Sequence, residues 1–143
     1  MPRMIFVNLP VTDLDRSVAF YKAIGAEQNF QFTDETAAMM VFSDAIHVML
    51  LTHDKFRQFT PKAVADARKV SEVLSCISAD SRQDVDAMVD KAGPAGGKLD
   101  PCPKQDHGFM YGRSLEDPDG HIWEVMWMDL AAATASCPKS AAA

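Results

Sequence analysis

The chain has 143 residues and a mass of 15.7 kDa, with 48% apolar and 24% charged residues, which leaves room for one ordinary domain or two small halves sharing a core. A chain of this size buries roughly two-thirds of its unfolded surface, so it needs neither a disulfide nor a metal to fold. A net charge of −6 argues against a nucleic-acid partner, because phosphate backbones are met by clustered Lys and Arg. The longest uncharged apolar run, Ile46 to Leu51, falls far short of the ~20 residues that span a bilayer. The cysteines, Cys76, Cys102 and Cys137, are odd in number and include no Cys-x-x-Cys pair, which excludes a disulfide framework or a structural zinc cluster. Met1-Pro2-Arg3-Met4 leads straight into a strand-like segment rather than a secretion leader. The expectation is a cytoplasmic protein with no nucleic-acid or membrane partner.

In chain order, Met4–Leu9 reads as a short apolar strand. Thr12 or Asp13 then caps a helix, with Asp15 favourably placed in its first turn. Leu14, Val18 and Tyr21 make one buried stripe, and Gly25 stops the helix. Strands are expected around Ala26–Phe32, Ala37–Phe42 and Ile46–Thr52, with Ser43-Asp44-Ala45 as the turn between the last two. Residues 53–71 carry Phe56, Phe59, Val64 and Ala67 among charges and read as a linker with a short helix after Pro61.

The same order then repeats. Glu72–Ala79 reads as a strand, Ser81 caps a helix with Val85, Met88, Val89 and Ala92 inward, and Gly93-Pro94 ends it. Strands follow at Gly97–Asp100, Phe109–Leu115 and His121–Met128, the last two joined by the turn Asp117-Pro118-Asp119-Gly120. Val18 corresponds to Val85, Tyr21 to Met88 and Asp13 to Asp80, so the repeat is one of element order more than of identity. The expected architecture is α+β: a βαβββ module over 1–52, the linker over 53–71, a second βαβββ module over 72–129, and a frayed tail rich in Ala and Ser over 130–143. In the last strand, alternation places Trp123, Val125 and Trp127 on one face and Ile122, Glu124, Met126 and Met128 on the other. The bulky Trp face packs under the helices, which leaves Glu124 on the open face among apolar neighbours.

Two stretches carry a family resemblance. Phe6-Val7-Asn8-Leu9-Pro10-Val11-Thr12-Asp13-Leu14-Asp15-Arg16-Ser17-Val18-Ala19-Phe20-Tyr21, with Gly25 after it, resembles the opening of the vicinal oxygen chelate superfamily, and Asp117-Pro118-Asp119-Gly120-His121-Ile122-Trp123-Glu124 resembles its closing turn and last strand. That superfamily includes glyoxalase I, fosfomycin and bleomycin resistance proteins and extradiol dioxygenases, and with the paired modules the resemblance covers about residues 4–129. It implies a cup-shaped mixed sheet, often completed by a second subunit in a homodimer. It also implies one divalent ion held by residues on the first and last strands of each module, which stabilises an oxyanion or activates O₂.

Carried over residue by residue, the resemblance places the four ligand positions on Phe6, Leu50, Leu74 (or Cys76, if the register slips by two) and Glu124. One carboxylate does not hold a catalytic divalent ion, so the expectation is no metal and no cofactor. Glu124 then becomes a candidate general base, against the plainer reading of a carboxylate satisfied by Asn8, a Tyr hydroxyl or water. Asn8 shares the face of Phe6, and Cys76 is expected to point inward, though a free Cys is more often a small buried apolar residue. No His pair has metal-motif spacing, and surface or loop positions are the better reading for each. His107 is the exception, in a loop that closes the cavity in family members, and Tyr111 and Arg113 are expected to follow it inward. Met39, Met40, Met49, Met110 and Met126 fit an adaptable apolar lining equally with core packing.

Two classes of function follow. One is a protein that binds a small apolar or aromatic molecule, using Phe6, Asn8, Leu50, Leu74, Cys76, His107, Tyr111 and Met126. The other is a metal-free lyase- or isomerase-type enzyme with Glu124 as acid and base. Phe and Leu at the ligand positions favour binding. A metal-dependent glyoxalase or dioxygenase remains the third reading, should the ligand alignment differ, and metal analysis of the purified protein discriminates it.

Overall fold

The computed structural model describes residues 2–136. Its elements are β1 (Ile5–Val11), α1 (Leu14–Ala23), β2 (Glu27–Asn29), β3 (Ala37–Ser43), β4 (Ile46–Thr52), α2 (His53–Arg57), β5 (Ser75–Ser78), α3 (Arg82–Asp90), β6 (Lys98–Leu99), β7 (Gln105–Asp106), β8 (Met110–Glu116), β9 (Ile122–Met128) and α4 (Leu130–Ser136). The first sheet runs β1-β4-β3-β2 and the second β5-β9-β8-β6, with β7 also paired to β8. In each sheet the first strand lies parallel to the last, and the remaining pairs are antiparallel. The chain is therefore an α+β fold of two mixed βαβββ sheets, as the repeated element order predicts.

Local chemistry sets the helix ends. The Asp13 carboxylate accepts from the Arg16 backbone N–H at 3.0 Å, and the Ser81 hydroxyl accepts from Asp84 N–H at 3.0 Å, so each satisfies an otherwise orphaned donor of a first turn. The expected strand over Ala26–Phe32 is cut short because the Asn29 side chain accepts from Gln31 N–H at 3.0 Å and turns Phe30–Phe32 into a 3₁₀ helix. The linker helix lies before Pro61, not after it: the Thr52 hydroxyl caps the chain as soon as β4 ends, and α2 follows at once. Only Ser75–Ser78 of the expected Glu72–Ala79 strand is paired. The segment read as a tail begins instead as α4, where Asp129 accepts from Ala132 N–H at 3.2 Å; residues 137–143 lie outside the described residues.

One core joins the two modules. From the first sheet it takes Leu9, Val11, Ala38, Met40, Val48 and Leu50; from the second, Leu115, Trp123 and Val125; from the helices, Phe20, Tyr21, Val85 and Val89. The stripe of α1 is rotated relative to the sequence expectation. Ser17, Phe20 and Tyr21 are fully buried, while Leu14 and Val18 pack at the margin, because α1 is covered by both modules and not by its own sheet alone. Tyr21 is the bridge: its ring meets Phe42 and Trp123 edge-on, and its hydroxyl donates to the Asp117 carboxylate at 2.7 Å while accepting from Trp123 Nε1 at 3.0 Å.

Around this contact the 117–120 turn docks on the start of α1. Asp117 accepts from the backbone N–H groups of Asp119 and His121, both at 2.9 Å, and Asp119 accepts from Thr12 N–H at 3.0 Å, from the Thr12 hydroxyl at 2.7 Å and from the Ser17 hydroxyl at 3.3 Å. Burial pushes the Asp117 pKa upward, against the pull of His121 and of its hydrogen-bond donors. His121 donates to the Pro10 carbonyl at 2.7 Å, which ties the first strand to the same turn.

Gly120 closes the turn with φ +94°, and a Cβ there would lie 2.6–2.8 Å from the linker backbone at Ala67 and Arg68. Gly25 has φ +114° and open space around it. Gly25→Ala is thus expected to cost about 1–2 kcal/mol from backbone strain alone. Gly120→Ala should cost more, because the linker must also move. Urea denaturation of the two variants checks this order, and equal losses would show that the linker does not press on the turn.

Candidate functional site

The faces of the two sheets turned away from α1 and α3 hold Phe6, Asn8, Cys76, Glu124 and Met126, and the linker and the loop after β6 cover them in part. On the second sheet, register pairs Cys76 with Glu124 and Glu124 with Ser114, so these three side chains form one row across β5, β9 and β8. Met126 and Gly112 form the next row, with Met110 and Met128 beyond them. Over this face the segment after β6 folds back: the Ser114 hydroxyl accepts from Cys102 N–H at 3.0 Å, which draws Cys102 and Pro103 into a wall. The result is a cavity of about 200 Å³ lined by Cys76, Cys102, Gln105, Met110, Glu124 and Met126, among others. A space near 150 Å³ accepts a benzene ring, so this one has room for one or two rings.

Glu124 sits in that cavity with no side-chain hydrogen bond or ion pair among the described residues, while the carboxylates of Asp86, Asp100, Asp106, Asp117 and Asp119 are all engaged. The Cys76 thiol beside it has its pKa pushed up, first by burial and then by the Glu124 charge, so it is a neutral, soft group at physiological pH.

Cys76, Glu124 and Met126 are therefore brought together, as expected from alternation in β9. Tyr111 is not: it lies on the opposite, helix-covered face, and its hydroxyl donates to Asp86 of α3 at 2.7 Å. Arg113 shares that face, bonded to Asp100 at 2.8 and 2.9 Å, to Asp86 at 2.9 Å and to Asp90 at 3.0 Å. The hairpin register across the 117–120 turn puts the even-numbered residues of β8 with Glu124, which corrects the inward placing of Tyr111 and Arg113. The same register reveals the cavity residues that sequence reasoning missed, Gly112 and Ser114; Cys102 and its loop carried no periodic signal.

Leu50 is also corrected. It is fully buried in the core with Val48, because the β1–β4 register pairs Phe6 with His47 and Asn8 with Met49. The open-face residue beside Phe6 is His47, whose ring stacks on Phe6 at 4.6 Å between centroids and whose Nδ1 is buried without a partner among the described residues. Asn8 lines a separate space of about 250 Å³ beneath the linker, with Phe56, Val70 and Ile122, and not the cavity of Glu124. Leu74 is exposed just before β5. His107 stands exposed near the tip of the β7–β8 hairpin, against Gln105 at 3.2 Å, and not in the cavity wall.

The family's divalent ion does not fit this donor set. Phe6 and Leu74 offer no lone pair, Leu50 points into the core, and among the described residues no three His, Cys, Asp or Glu side chains are grouped to hold a metal ion. His47 is a single unpaired imidazole on the other sheet.

The hairpin at the cavity rim is held from outside. Arg82, at the start of α3, forks onto Asp106 at 2.9 and 3.0 Å, donates to the Gly108 carbonyl at 2.9 Å, and stacks over Tyr111 and Trp127. Gly108 N–H closes the turn onto Asp106 at 3.1 Å.

Two measurements follow. Glu124→Gln removes the repulsion on the Cys76 thiolate, so alkylation of Cys76 by iodoacetamide, read by peptide mapping, should shift to lower pH while staying above the ordinary thiol range. An unchanged profile would separate the two groups. The Arg82 hydrogen bonds hold the Asp106 pKa at about 2, below the ordinary 3.8, so the clasp's contribution is complete above the ordinary value and is lost as pH falls through about 2. Amide protection of residues 105–110 should therefore decline between about pH 4 and 2 in wild type, and be lost already at neutral pH in Arg82→Ala.

No helix among the described residues is long and apolar enough to cross a membrane. The fold is similar to that of hypothetical protein SA1046 from S. aureus, with 24% identity over 89% of this chain and 94% of that one and a TM-score of 0.73. A glyoxalase/bleomycin resistance protein/dioxygenase family enzyme from Burkholderia phytofirmans PsJN is 18% identical over 89% of this chain and 99% of that one, with a TM-score of 0.71. Fosfomycin resistance protein FosX from Mesorhizobium loti is 18% identical over 94% and 96%, with a TM-score of 0.60. A search of curated proteins finds no significant match. The family model described as Glyoxalase/Bleomycin resistance protein/Dioxygenase superfamily matches residues 3–125, nearly the whole of both modules, and the chain belongs to that superfamily.

Proposed function

We propose that this protein binds a small, largely apolar or aromatic molecule in the cavity floored by Glu124, without the superfamily's usual metal site. The carrying observation is the unpartnered Glu124 carboxylate at the base of a sulfur-lined cavity. Thiol and thioether groups make soft contacts with aromatic rings, and a single polar group fixes orientation, which is the usual composition of a small-molecule site. Structural neighbours named for resistance to bleomycin and fosfomycin support a small-molecule ligand. A second copy of the chain is the proposed cover for the open face of the first sheet, where Phe6 is 45% exposed. Sedimentation is the direct measure of it.

A second reading, an enzyme of lyase or isomerase type, is favoured by the same carboxylate, which is free to accept a proton from a bound substrate. It requires turnover that Glu124→Gln abolishes.

Gly112 faces the cavity, and a Cβ added there would meet its nearest neighbour at 3.7 Å, an ordinary contact distance, so Gly112→Leu fills the cavity without clashing with the backbone. In a screen of one- and two-ring compounds, hits should raise the melting temperature and slow Cys76 alkylation together. Gly112→Leu should weaken both effects by about tenfold or more in ligand concentration, the worth of a site denied its apolar contact. Hits unaffected by this substitution would place binding elsewhere.

A further inference from the structure

Resting on the proposed ligand site, we infer that its ligand is a planar aromatic cation, which Glu124 recognises through charge-assisted hydrogen bonds. The groups around the carboxylate are Cys76 on β5, Met126 on β9, Gly112 and Ser114 on β8, and Cys102 on the covering loop. Among the cavity-lining residues only Arg113 is cationic, and its guanidinium is bonded to Asp86, Asp90 and Asp100 on the opposite face of the sheet. The nearest hydroxyl, that of Ser114, is already engaged with the Cys102 backbone as acceptor at 3.0 Å and donor at 3.5 Å.

The two arginines of the second module are turned elsewhere. Arg113 leaves its strand on the helix-covered face and is saturated by Asp86, Asp90 and Asp100. Arg82 is taken by Asp106 and the Gly108 carbonyl. The second module thus commits both guanidinium groups near the cavity to carboxylates outside it, and leaves the one inside without a counter-ion. A carboxylate with no donor or counter-ion from the protein gains most from a ligand that brings its own positive charge and N–H donors. The net charge of −6 draws such a ligand from solution and repels its anionic counterpart.

Benzamidine, benzamide and benzoate are a matched set of cation, neutral amide and anion on one ring, a size the 200 Å³ cavity admits. Their binding is read from ¹³C-methyl signals of Met110 and Met126 in the intact protein at neutral pH. Benzamidine should bind about tenfold or more tightly than benzamide, and benzoate should not bind, which is the usual scale of a charge-assisted hydrogen bond. In Glu124→Gln the preference for benzamidine should vanish while benzamide affinity is retained, and that retention shows the variant is folded. Benzamide binding as tightly as benzamidine in wild type overturns the cation but leaves the proposed site standing. If none of the three moves the Met110 and Met126 signals, the site itself is overturned, and the cation with it. The wild-type comparison holds without any variant.

Discussion

The hydrogen bonds that converge on the Tyr21 hydroxyl hold the two modules in one molecule. A phenol buried from solvent donates to Asp117 and accepts from Trp123, and each of the three groups belongs to a different part of the chain: α1, the turn after β8, and β9. A buried carboxylate without such donors is costly, so Asp117 is tolerable only where Tyr21 and the backbone of its own turn reach it. The docking of α1 between the sheets, the direction of β9 and the path of the linker over Gly120 all depend on this junction.

Its geometry also decides which surfaces are free for function. With α1 and α3 packed into one core, the faces they cover are consumed by folding, and the opposite faces are left to the linker, the loop after β6 and the cavities beneath them. Alternation along β8 then sorts charge from softness. Odd-numbered Tyr111 and Arg113 serve the ionic layer beneath α3, while even-numbered Met110, Gly112 and Ser114 furnish the cavity. Glu124 pairs with Ser114 and Val125 with Arg113, so the carboxylate and the guanidinium occupy adjacent register positions on opposite faces and do not meet.

This division explains what the sequence makes legible. The two stretches that carry the family resemblance, around Thr12–Tyr21 and Asp117–Glu124, meet each other at Thr12–Asp119 and Tyr21–Asp117. They are two halves of one junction, so they identify the fold readily and say little of the ligand. Glu124 is the member that reaches the open face, and strand alternation places it there correctly with Cys76 and Met126. Leu50 is misjudged because Val48–Leu51 of β4 is an unbroken apolar run, and its buried face is decided by pairing with β1, a long-range fact. Tyr111 is misjudged because a polar residue beside a cavity loop reads as a contact until the hairpin register is counted. Cys102 escapes because only a tertiary hydrogen bond to Ser114 brings its loop over the sheet.

The Arg82 clasp on the β7–β8 hairpin has a consequence for how such a site changes over generations. The rim of the cavity is fastened at a point that shares no side chain with the buried centre of the core or with the Tyr21 junction. Apart from Asp100, Asp106 and Gly108, residues of the hairpin tip and of the 101–104 loop can accordingly be exchanged with little effect on folding, so the chemistry accepted by the cavity is open to selection while the architecture is inherited intact.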